Sequence, residues 1–469
     1  MSSKTMKRMV IILAALLVCA IAGYLIVDGI LKKQEQAVAD EEASMHLFSF
    51  DPNSIDKVTL DTKEGHFQME IVDSTWAITD SDYPHEFVLN SAYVSTVCSY
   101  LSELTALTKF ESAEASLADY GLEDPVVLTC SAGGTDYVLH VGNATPTQEY
   151  FYAMVPGNDT VFGIDYEYGS VFYGDTSYLK SPYMLNYYDV DIAEMLLERE
   201  GEIVFDLVQK DHIWTMQAPL ENGNVDSAQV NSMLSSLVRI RVEGFVGLTS
   251  EGISLKDYGL DKPYASLTVR STDGSETIVD FAPYDVNDGT VYVLFRNEQE
   301  VATMMQGDAN FINTKLSELM NENIMQVDFN QTAAVDAVVD DLTFRMEMDA
   351  ASETYSIDGI DISTMGKEVS SEFRAVFDTM SNLKFEELDL TSEVDVTAEP
   401  AVVFHYTMQD GTERELSLIE AEDSLYFALV DGEYTGMTVR RRSLSGSTGV
   451  LTFHERLTDA IADAQADES

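Results

Sequence analysis

Two serine–lysine pairs have the spacing of an acyl-transfer nucleophile. Ser177-Tyr-Leu-Lys180 and Ser381-Asn-Leu-Lys384 both match S-x-x-K, the pattern that carries the serine nucleophile of β-lactamases and penicillin-binding proteins. The pattern is short, and the S-D-N and K-T-G elements that accompany it in those enzymes are absent from the sequence. We interpret both matches as chance, and the sequence predicts no catalytic residue.

Metal-ligating residue types are present but lack ligand spacing. The seven histidines are scattered, and neither Cys-x-x-Cys nor His-x-His occurs, which argues against a zinc site. The segment Asp285-Val-Asn-Asp-Gly289 resembles the start of a calcium loop, but its glycine is one place early and the glutamate seven residues beyond is missing. This segment is predicted to be a polar turn, and no metal or cofactor is expected.

Other enzyme signatures are missing as well. The sequence has no Walker A motif, no G-x-G-x-x-G, no H-E-x-x-H and no G-x-S-x-G elbow. Carboxylates are so frequent, at 81 Asp and Glu, that a glycosidase-type pair would not stand out in the sequence. The chain is predicted to be a non-enzyme, and an envelope hydrolase stays open as a third hypothesis.

The composition is that of a folded and very acidic protein. The 469 residues are 45% hydrophobic, which excludes a disordered chain, and the length predicts about three domains. Only 27 Lys and Arg oppose the 81 acidic residues, for a formal net charge of −54. Because such a surface repels phosphate backbones, nucleic acid is not expected as a partner.

Three cysteines are too few for a disulfide framework. Cys19 lies in the apolar N-terminal segment, whereas Cys98 and Cys130 both lie in the region that forms the first repeat described below. A single Cys98–Cys130 bridge is compatible with the sequence, although nothing in it supports that pairing. The preferred interpretation is that both are small, buried apolar residues.

An apolar segment near the N-terminus predicts a membrane anchor. Met9–Leu31 has one charge, Asp28, and its 23 residues are enough to cross a hydrocarbon core about 30 Å thick. Three basic residues precede it and two follow it, so the positive-inside rule favours a cytoplasmic N-terminus and an extracytoplasmic body. The basic residues are Lys4, Lys7, Arg8, Lys32 and Lys33.

Two alternatives remain for this segment. Ala20-Ile21-Ala22 is an A-x-A-like site at which a signal peptide would be cleaved, and Cys19 would be the acylated residue of a lipoprotein signal. An uncleaved anchor is preferred because the apolar run continues beyond Ala22. The lipoprotein reading is disfavoured because Val18 stands where a small residue is needed. All three alternatives place the body outside the cytoplasm.

A motif repeats with a period of 138 residues. Ser116-Leu-Ala-Asp-Tyr-Gly-Leu-Glu-Asp-Pro125 recurs as Ser254-Leu-Lys-Asp-Tyr-Gly-Leu-Asp-Lys-Pro263, and a tryptophan lies 44 residues before each motif tyrosine. The candidate structural residues are Trp76, Tyr120, Gly121, Leu122 and Pro125 in the first copy and Trp214, Tyr258, Gly259, Leu260 and Pro263 in the second. These two shared offsets predict two related repeats.

A third, diverged copy follows at a similar spacing. Pro400 and Gly411 lie 137 residues after Pro263 and Gly274, and the residues around them align. This copy lacks the Tyr-Gly-Leu signature and has Tyr355 near the tryptophan position.

The motif itself predicts a capped turn that leads into a strand. Ser116 or Ser254 caps the turn together with the aspartate three residues later. Gly121 or Gly259 supplies the left-handed residue that ends it. We interpret the motif as structural and not as a ligand site.

The pattern within a repeat predicts an α+β fold with antiparallel sheets and one main helix. Short alternating strands surround an amphipathic helix in each copy, at Ser91–Leu104, Ser227–Val238 and Val369–Leu383. Helical segments at Ser177–Leu185 and Ala309–Met320 are predicted to close the first two copies.

The predicted organisation follows from the anchor and the repeats. It comprises a cytoplasmic tail (1–8), a transmembrane anchor (9–31), a linker (32–44), repeat domains at 45–188, 189–323 and 324–460, and an acidic tail (461–469).

Two surface features are candidate binding sites. The stretch Glu149–Tyr188 contains twelve Tyr and Phe residues, and exposed aromatics suit sugar or protein recognition. The alternative, which we prefer, is that most of them pack inside the fold. Arg440-Arg441-Arg442 is the only basic cluster of the body, and it is expected to pair with nearby acids rather than with an anionic partner.

The recurring Tyr-Gly-Leu-Glu/Asp-x-Pro motif, the upstream tryptophan, the strand pattern and the anchor together resemble the bacterial domain-of-unknown-function 4340 family. The resemblance covers most of the chain after the anchor and weakens beyond residue 320. It implies an envelope protein that accompanies a gliding-motility-type ABC transporter, with the permease and ATPase subunits as partners and no assigned catalytic residue. A stand-alone binder of cell-wall or polysaccharide material is the alternative expectation.

Overall fold

The computed structural model describes residues 3–83, 87–110, 116–174, 176–221, 223–283 and 289–467. The side chains of residues 3–22, 26, 176 and 467 lie outside this description. Contacts divide the chain into two compact units, residues 1–182 and residues 183–469.

The first element is a helix of 43 residues, α1 (Ser3–Met45). It contains the predicted anchor Met9–Leu31 and continues through the predicted linker. Among the described side chains, Tyr24, Leu25 and Val27 are exposed. Where side chains are described, none of the helices has both the length and the apolar character required to cross a bilayer. Residues 9–22, which carry most of the apolar run, lie outside the side chains described.

The first unit is built on one antiparallel sheet of eight strands, in the order β3-β2-β1-β5-β6-β7-β8-β4. The strands are β1 (Ile55–Thr62), β2 (Gly65–Val72), β3 (Thr75–Ser81), β4 (Thr108–Phe110), β5 (Val126–Ala132), β6 (Thr135–Ala144), β7 (Tyr150–Met154) and β8 (Val161–Asp165). Its helices are α2 (Ser91–Ser102), α3 (Tyr166–Phe172) and α4 (Thr176–Leu179). The side chains of α2 and the sheet form one core.

The second unit contains two sheets. One has the order β11-β10-β9-β13-β14-β15-β16-β12, and the other has the order β20-β19-β18-β17-β22-β23-β24-β25-β21. The strands of the former are β9 (Ile192–Arg199), β10 (Glu202–Lys210), β11 (Ile213–Ala218), β12 (Val242–Leu248), β13 (Ala265–Ser271), β14 (Glu276–Phe281), β15 (Thr290–Phe295) and β16 (Glu300–Met305). The strands of the latter are β17 (Thr332–Val339), β18 (Leu342–Asp349), β19 (Thr354–Ile357), β20 (Ile360–Asp361), β21 (Glu387–Leu388), β22 (Val402–Met408), β23 (Glu413–Glu420), β24 (Leu425–Val430) and β25 (Glu433–Arg440).

The helices of this unit are α5 (Ser227–Leu237), α6 (Gln306–Ala309), α7 (Lys367–Ser381), α8 (Arg442–Ser445) and α9 (Val450–Asp467). One continuous hydrophobic core runs from Met184 to Ile461 and includes side chains of both sheets.

Local sequence explains why these elements form. In β18, buried Phe344, Met346 and Met348 alternate with exposed residues, as a half-buried strand requires. In α7, Val369, Phe373 and Phe377 recur every four residues and are buried on one helix face. These two periods, 2 and about 3.6, give the antiparallel sheets and main helices that the sequence predicts.

The predicted closing helices are not continuous helices. Within Ser177–Leu185 only α4 is helical, and Lys180 then pairs with Leu89 in a β-bridge. Within Ala309–Met320 the chain makes 3-10 turns at Asn310–Asn313 and Leu316–Glu318 before Met320 bridges to Val225. In both places backbone pairing with the segment that precedes the main helix replaces helical hydrogen bonds.

The third repeat has a second long helix that the sequence reasoning did not predict. Helix α9 packs against α7 and continues through Asp467 into the predicted acidic tail. Leu457 and Ile461 are buried in the core of the unit. Apolar residues at helical spacing among the acids of this segment are the signal that identifies it.

Candidate functional site

The repeated motif folds as the predicted turn in both copies. In the first copy, Leu117–Tyr120 form a 3-10 turn that ends at Gly121, whose φ of 71° is left-handed. In the second copy, Leu255–Tyr258 form the same turn, and Gly259 has a φ of 72°. Glycine is favoured at both positions because a side chain would strain this backbone conformation.

The turn packs on the sheet face opposite the main helix. In the second copy, Leu260 joins a small apolar cluster with Ala282 and Leu294, whereas Phe281 and Val293 belong to the large core on the other face. The motif tyrosine stands edge-to-face on a strand tyrosine, with Tyr120 4.7 Å from Tyr152 and Tyr258 4.9 Å from Tyr292 between ring centroids.

The structure therefore does not gather the ten motif residues at one place. Trp214 lies on the helix side of its sheet, buried in the large core, and Trp76 is a half-buried residue that packs against the core of the first unit. Pro125 and Pro263 precede the strands β5 and β13. The structural interpretation of the motif stays a prediction.

One difference between the copies gives a testable effect. In the first copy, the backbone N–H and the hydroxyl of Ser116 both donate to Asp119 Oδ2, at 2.8 and 3.0 Å. Asp119→Ala removes this cap, and we expect it to destabilise the first unit by about 0.5–2 kcal/mol. Hydrogen exchange of β5 and β6 measures the loss.

Asp257→Ala is the matched control for this substitution. Ser254 makes no side-chain capping bond in the portion of the chain described here, so we expect almost no change in the second unit. Equal losses in both units would contradict the assigned role of Asp119.

A groove of about 560 Å³ is a candidate site in the second unit. Four separate stretches line it: β11 with the loop before α5, the link that joins the two sheets, the start of β23, and the hairpin between β24 and β25. The lining residues are Ile213, Trp214, Leu220, Glu221, Gly223, Asn224, Val225, Ile324, Met325, Gln326, Arg414, Val430, Asp431, Glu433, Tyr434, Thr435 and Met437. Its volume falls within the range of small-ligand sites.

The groove is held together by contacts that its own residues make. Asn224 donates through its side-chain amide to the carbonyl of Asn323 at 2.9 Å, which fixes the link beneath the loop. Leu220 lies against Gly436, where a Cβ atom would come within 2.8 Å of its side chain. These contacts position both walls on the shared core.

Charges in the groove are mostly negative. Arg414 donates through Nε to Asp431 Oδ2 at 2.8 Å, and the backbone N–H of Glu415 donates to Asp431 Oδ1 at 2.9 Å. Glu221 and Glu433 are exposed on the lining without a neutralising partner of this kind in the described ranges. The groove therefore favours neutral or cationic groups.

One tyrosine on the groove wall is fixed in place. This residue is Tyr434, whose hydroxyl donates to the carbonyl of Asp389 at 2.8 Å. Burial, with a smaller effect of the Asp389 charge, raises the pKa of Tyr434 to about 12. The phenol therefore stays neutral at physiological pH.

A second cavity of about 610 Å³ adjoins the groove at Gln326 and Arg414. Its remaining lining residues are Val327, Asp328, Gln331, Asn382 and Met408. Together the two cavities give an extended and open path, a shape that suits a chain-like ligand.

The side chains of the two serine–lysine matches have other contacts. Lys180 donates to the Tyr83 hydroxyl at 2.8 Å and is 5% exposed. Lys384 forms an ion pair with Glu322, and Ser381 donates to the carbonyl of Asp378. Within the described ranges, three or more His, Cys, Asp or Glu do not cluster in a way that could hold a metal ion. The candidate calcium segment 285–288 lies outside the described residues.

The residues of both candidate binding surfaces mostly make contacts within the fold. Most of the aromatic residues in Glu149–Tyr188 are buried or half-buried, while Tyr178, Tyr183 and Tyr188 are exposed. Each of the three consecutive arginines is within ion-pair distance of an acid: Arg440 and Arg442 pair with Glu386 at 2.6 and 3.7 Å, and Arg441 pairs with Glu420 at 2.5 Å.

The groove could not be predicted from the sequence, because its walls come from stretches that are far apart along the chain. Trp214 was recognised, but only as a repeat marker. Ile213, beside Trp214, has 62% of its surface exposed, which the sequence alone does not show.

Comparisons with known proteins give one informative match. The family model described as "Domain of unknown function (DUF4340)" matches the chain twice, over residues 80–252 and 214–401. No curated protein matches the chain. A solved structure, the DNA polymerase sliding clamp from Pseudomonas aeruginosa with ligand, is 8% identical and covers 81% of this chain and 92% of that chain, with a TM-score of 0.14. That score supports no conclusion about fold or function.

Proposed function

This chain belongs to the DUF4340 family, and on that basis we propose that it is a non-enzymatic, membrane-anchored binding subunit of an ABC-type transport complex. Its acidic body would stand outside the cytoplasm, tethered by the helix that contains Met9–Leu31. The link to a transporter is what the family resemblance implies. The anchor is supported by the apolar run and its flanking basic residues.

The groove of the second unit is the observation that carries the binding role. It is long, open and lined by carboxylates, apolar surface and a fixed tyrosine. An extended polypeptide segment with basic side chains fits this chemistry, because Glu221 and Glu433 would face its positive charges. We propose that the extracytoplasmic part of the permease supplies this segment, while the ATPase is recovered through the permease.

Reversing the groove charges is expected to release the partner. The tagged full-length protein is extracted from its native membrane in mild detergent, and co-purified proteins are quantified by mass spectrometry. Wild type should recover the permease and ATPase stoichiometrically. Glu221→Lys combined with Glu433→Lys should lower that recovery about tenfold or more, since like charges would then face each other.

The matched control reverses two exposed acids of the same unit outside the groove. Glu399→Lys combined with Glu422→Lys changes the net charge equally and should leave recovery at the wild-type level. If wild type comes out of the membrane alone, the transport-complex assignment is wrong. If both double variants behave alike, the groove is not the contact surface.

Polysaccharide binding is the second candidate, favoured by the combination of aromatic and carboxylate groups in the groove. Carboxylates accept hydrogen bonds from sugar hydroxyls, and the aromatic residue Tyr434 lines the same groove. This candidate predicts retention of the protein on cell-wall preparations and loss of retention in the same groove variant. Turnover of glycans, peptides or esters at enzymatic rates would contradict both candidates.

A further inference from the structure

The two cysteines of the first unit face each other across its core. Cys98 lies on α2 and Cys130 on β5, and they are 5% and 0% exposed within one hydrophobic cluster. Both are free, buried thiols, and both belong to the same core cluster. We propose that Cys98 and Cys130 are a redox-active pair that closes to an intramolecular disulfide.

The strand position of Cys130 recurs in every sheet. Cys130 is paired in register with Val58, the fourth residue of β1. At the same place, Val269 pairs with Met195, the fourth residue of β9, and Tyr406 pairs with Val335, the fourth residue of β17. All three side chains are buried on the face that meets the main helix.

The helix position of Cys98 recurs as well. The buried residues of the main helices follow one spacing, four residues and then three: Val94, Cys98 and Leu101 in α2, Val230, Leu234 and Leu237 in α5, and Phe373, Phe377 and Met380 in α7. Cys98 therefore corresponds to Leu234 and to Phe377.

In the third repeat this helix–strand contact is made by two rings. Phe377 and Tyr406 lie edge-to-face with centroids 6.1 Å apart. Cys98 and Cys130 occupy the two positions that make this contact in the third repeat, and only the first copy places sulfur at both.

The chemistry requires a disulfide oxidant, which we name by class as a small-molecule or protein disulfide. Cys98 is the attacking thiol, because it is the more accessible of the two, at 5% exposed against 0% for Cys130. The Cys98 sulfur displaces one thiolate from the oxidant and forms a mixed disulfide.

The second step closes the bridge. Cys130 gives its proton to the released thiolate and attacks the Cys98 sulfur, which expels the second half of the oxidant as a thiolate. That thiolate takes up the proton lost by Cys98. Two protein thiols are oxidised, and one external disulfide is reduced to two thiols.

Closure in the cell depends on the proposed function, because disulfides persist in oxidising compartments outside the cytoplasm. Closure in the test tube does not depend on it. Two measurements on the full-length protein therefore separate the two ideas.

The first measurement uses purified Cys19→Ala protein in detergent with oxidised glutathione. After acid quenching, denaturation and alkylation, intact mass should show the loss of both alkylation sites, and peptide mapping should join the peptides of Cys98 and Cys130. In the Cys19→Ala background, Cys98→Ala or Cys130→Ala should each leave one thiol or one glutathione adduct. The circular dichroism spectrum of each variant should match that of the Cys19→Ala protein. The proposal would be wrong if both thiols were alkylated, or if a glutathione adduct on Cys98 did not convert to the Cys98–Cys130 disulfide.

The second measurement traps the thiols of native cells with acid before alkylation. A closed bridge there supports both the pair and the extracytoplasmic body. If the thiols are free in cells but the purified protein forms the disulfide with oxidised glutathione, the redox pair is supported and the proposed extracytoplasmic location is contradicted.

Discussion

Trp214→Ala is expected to destabilise the second unit by about 3–5 kcal/mol, the usual loss for a fully buried tryptophan. Trp214 is 2% exposed, and its indole Nε1 donates to Asn231 Oδ1 on α5 at 2.9 Å. Its backbone N–H donates to the Ser227 hydroxyl at 3.2 Å. The substitution leaves a cavity and removes one of the contacts that hold the helix on the edge strand β11.

Hydrogen exchange of β9 to β11 in the full-length protein measures this effect. Trp76→Ala is the matched control, since Trp76 has the same place in the first repeat but is only half-buried. We expect the control to cost about 1–2 kcal/mol in the strands of the first unit, in proportion to the smaller area that it buries. A control loss as large as that of Trp214 would contradict this account of burial.

In contrast to Trp214→Ala, Tyr406→Phe is expected to stabilise the second unit, by about 1–3 kcal/mol. The Tyr406 ring is completely buried, and its hydroxyl lacks a hydrogen-bond partner among the described residues. Burial raises the pKa of Tyr406 far above its usual range, so the group is a neutral hydroxyl at any physiological pH. Phenylalanine keeps the ring and removes the desolvated oxygen.

Tyr426→Phe is the matched control in the same sheet. Tyr426 is 1% exposed, but the Arg441 guanidinium lies over its ring at 5.4 Å, and its hydroxyl is not among the buried polar atoms that lack a partner. Removing that oxygen is therefore expected to be neutral or to destabilise by about 1 kcal/mol. Equilibrium unfolding of both variants compares the two signs, and a destabilising Tyr406→Phe would show that the hydroxyl has a stabilising contact.

The elements that depend on local sequence pattern could be predicted from the sequence. Alternation in strands such as β18 and the four-residue recurrence in α7 are read directly from neighbouring residues. The motif turns were also predictable, because Gly121 and Gly259 occupy positions where the backbone is left-handed.

Features that depend on distant pairing were not predictable in the same way. Met320 lies in an apolar stretch that reads as helix, yet it pairs with Val225 in a bridge about 100 residues away along the chain. The groove has the same origin, because Trp214, Gln326 and Tyr434 come together only when both sheets are in place. Tertiary pairing outweighs local propensity at these positions.

The continuous core from Met184 to Ile461 has a consequence for the history of the chain. Two copies that began as duplicates now bury their apolar surfaces against common neighbours, so neither can be deleted or exchanged without exposing the other. For inheritance and for protein engineering, residues 183–469 therefore behave as one indivisible module. A truncation at residue 323 should yield an aggregating fragment, and recombination between relatives should preserve the second and third copies as a pair.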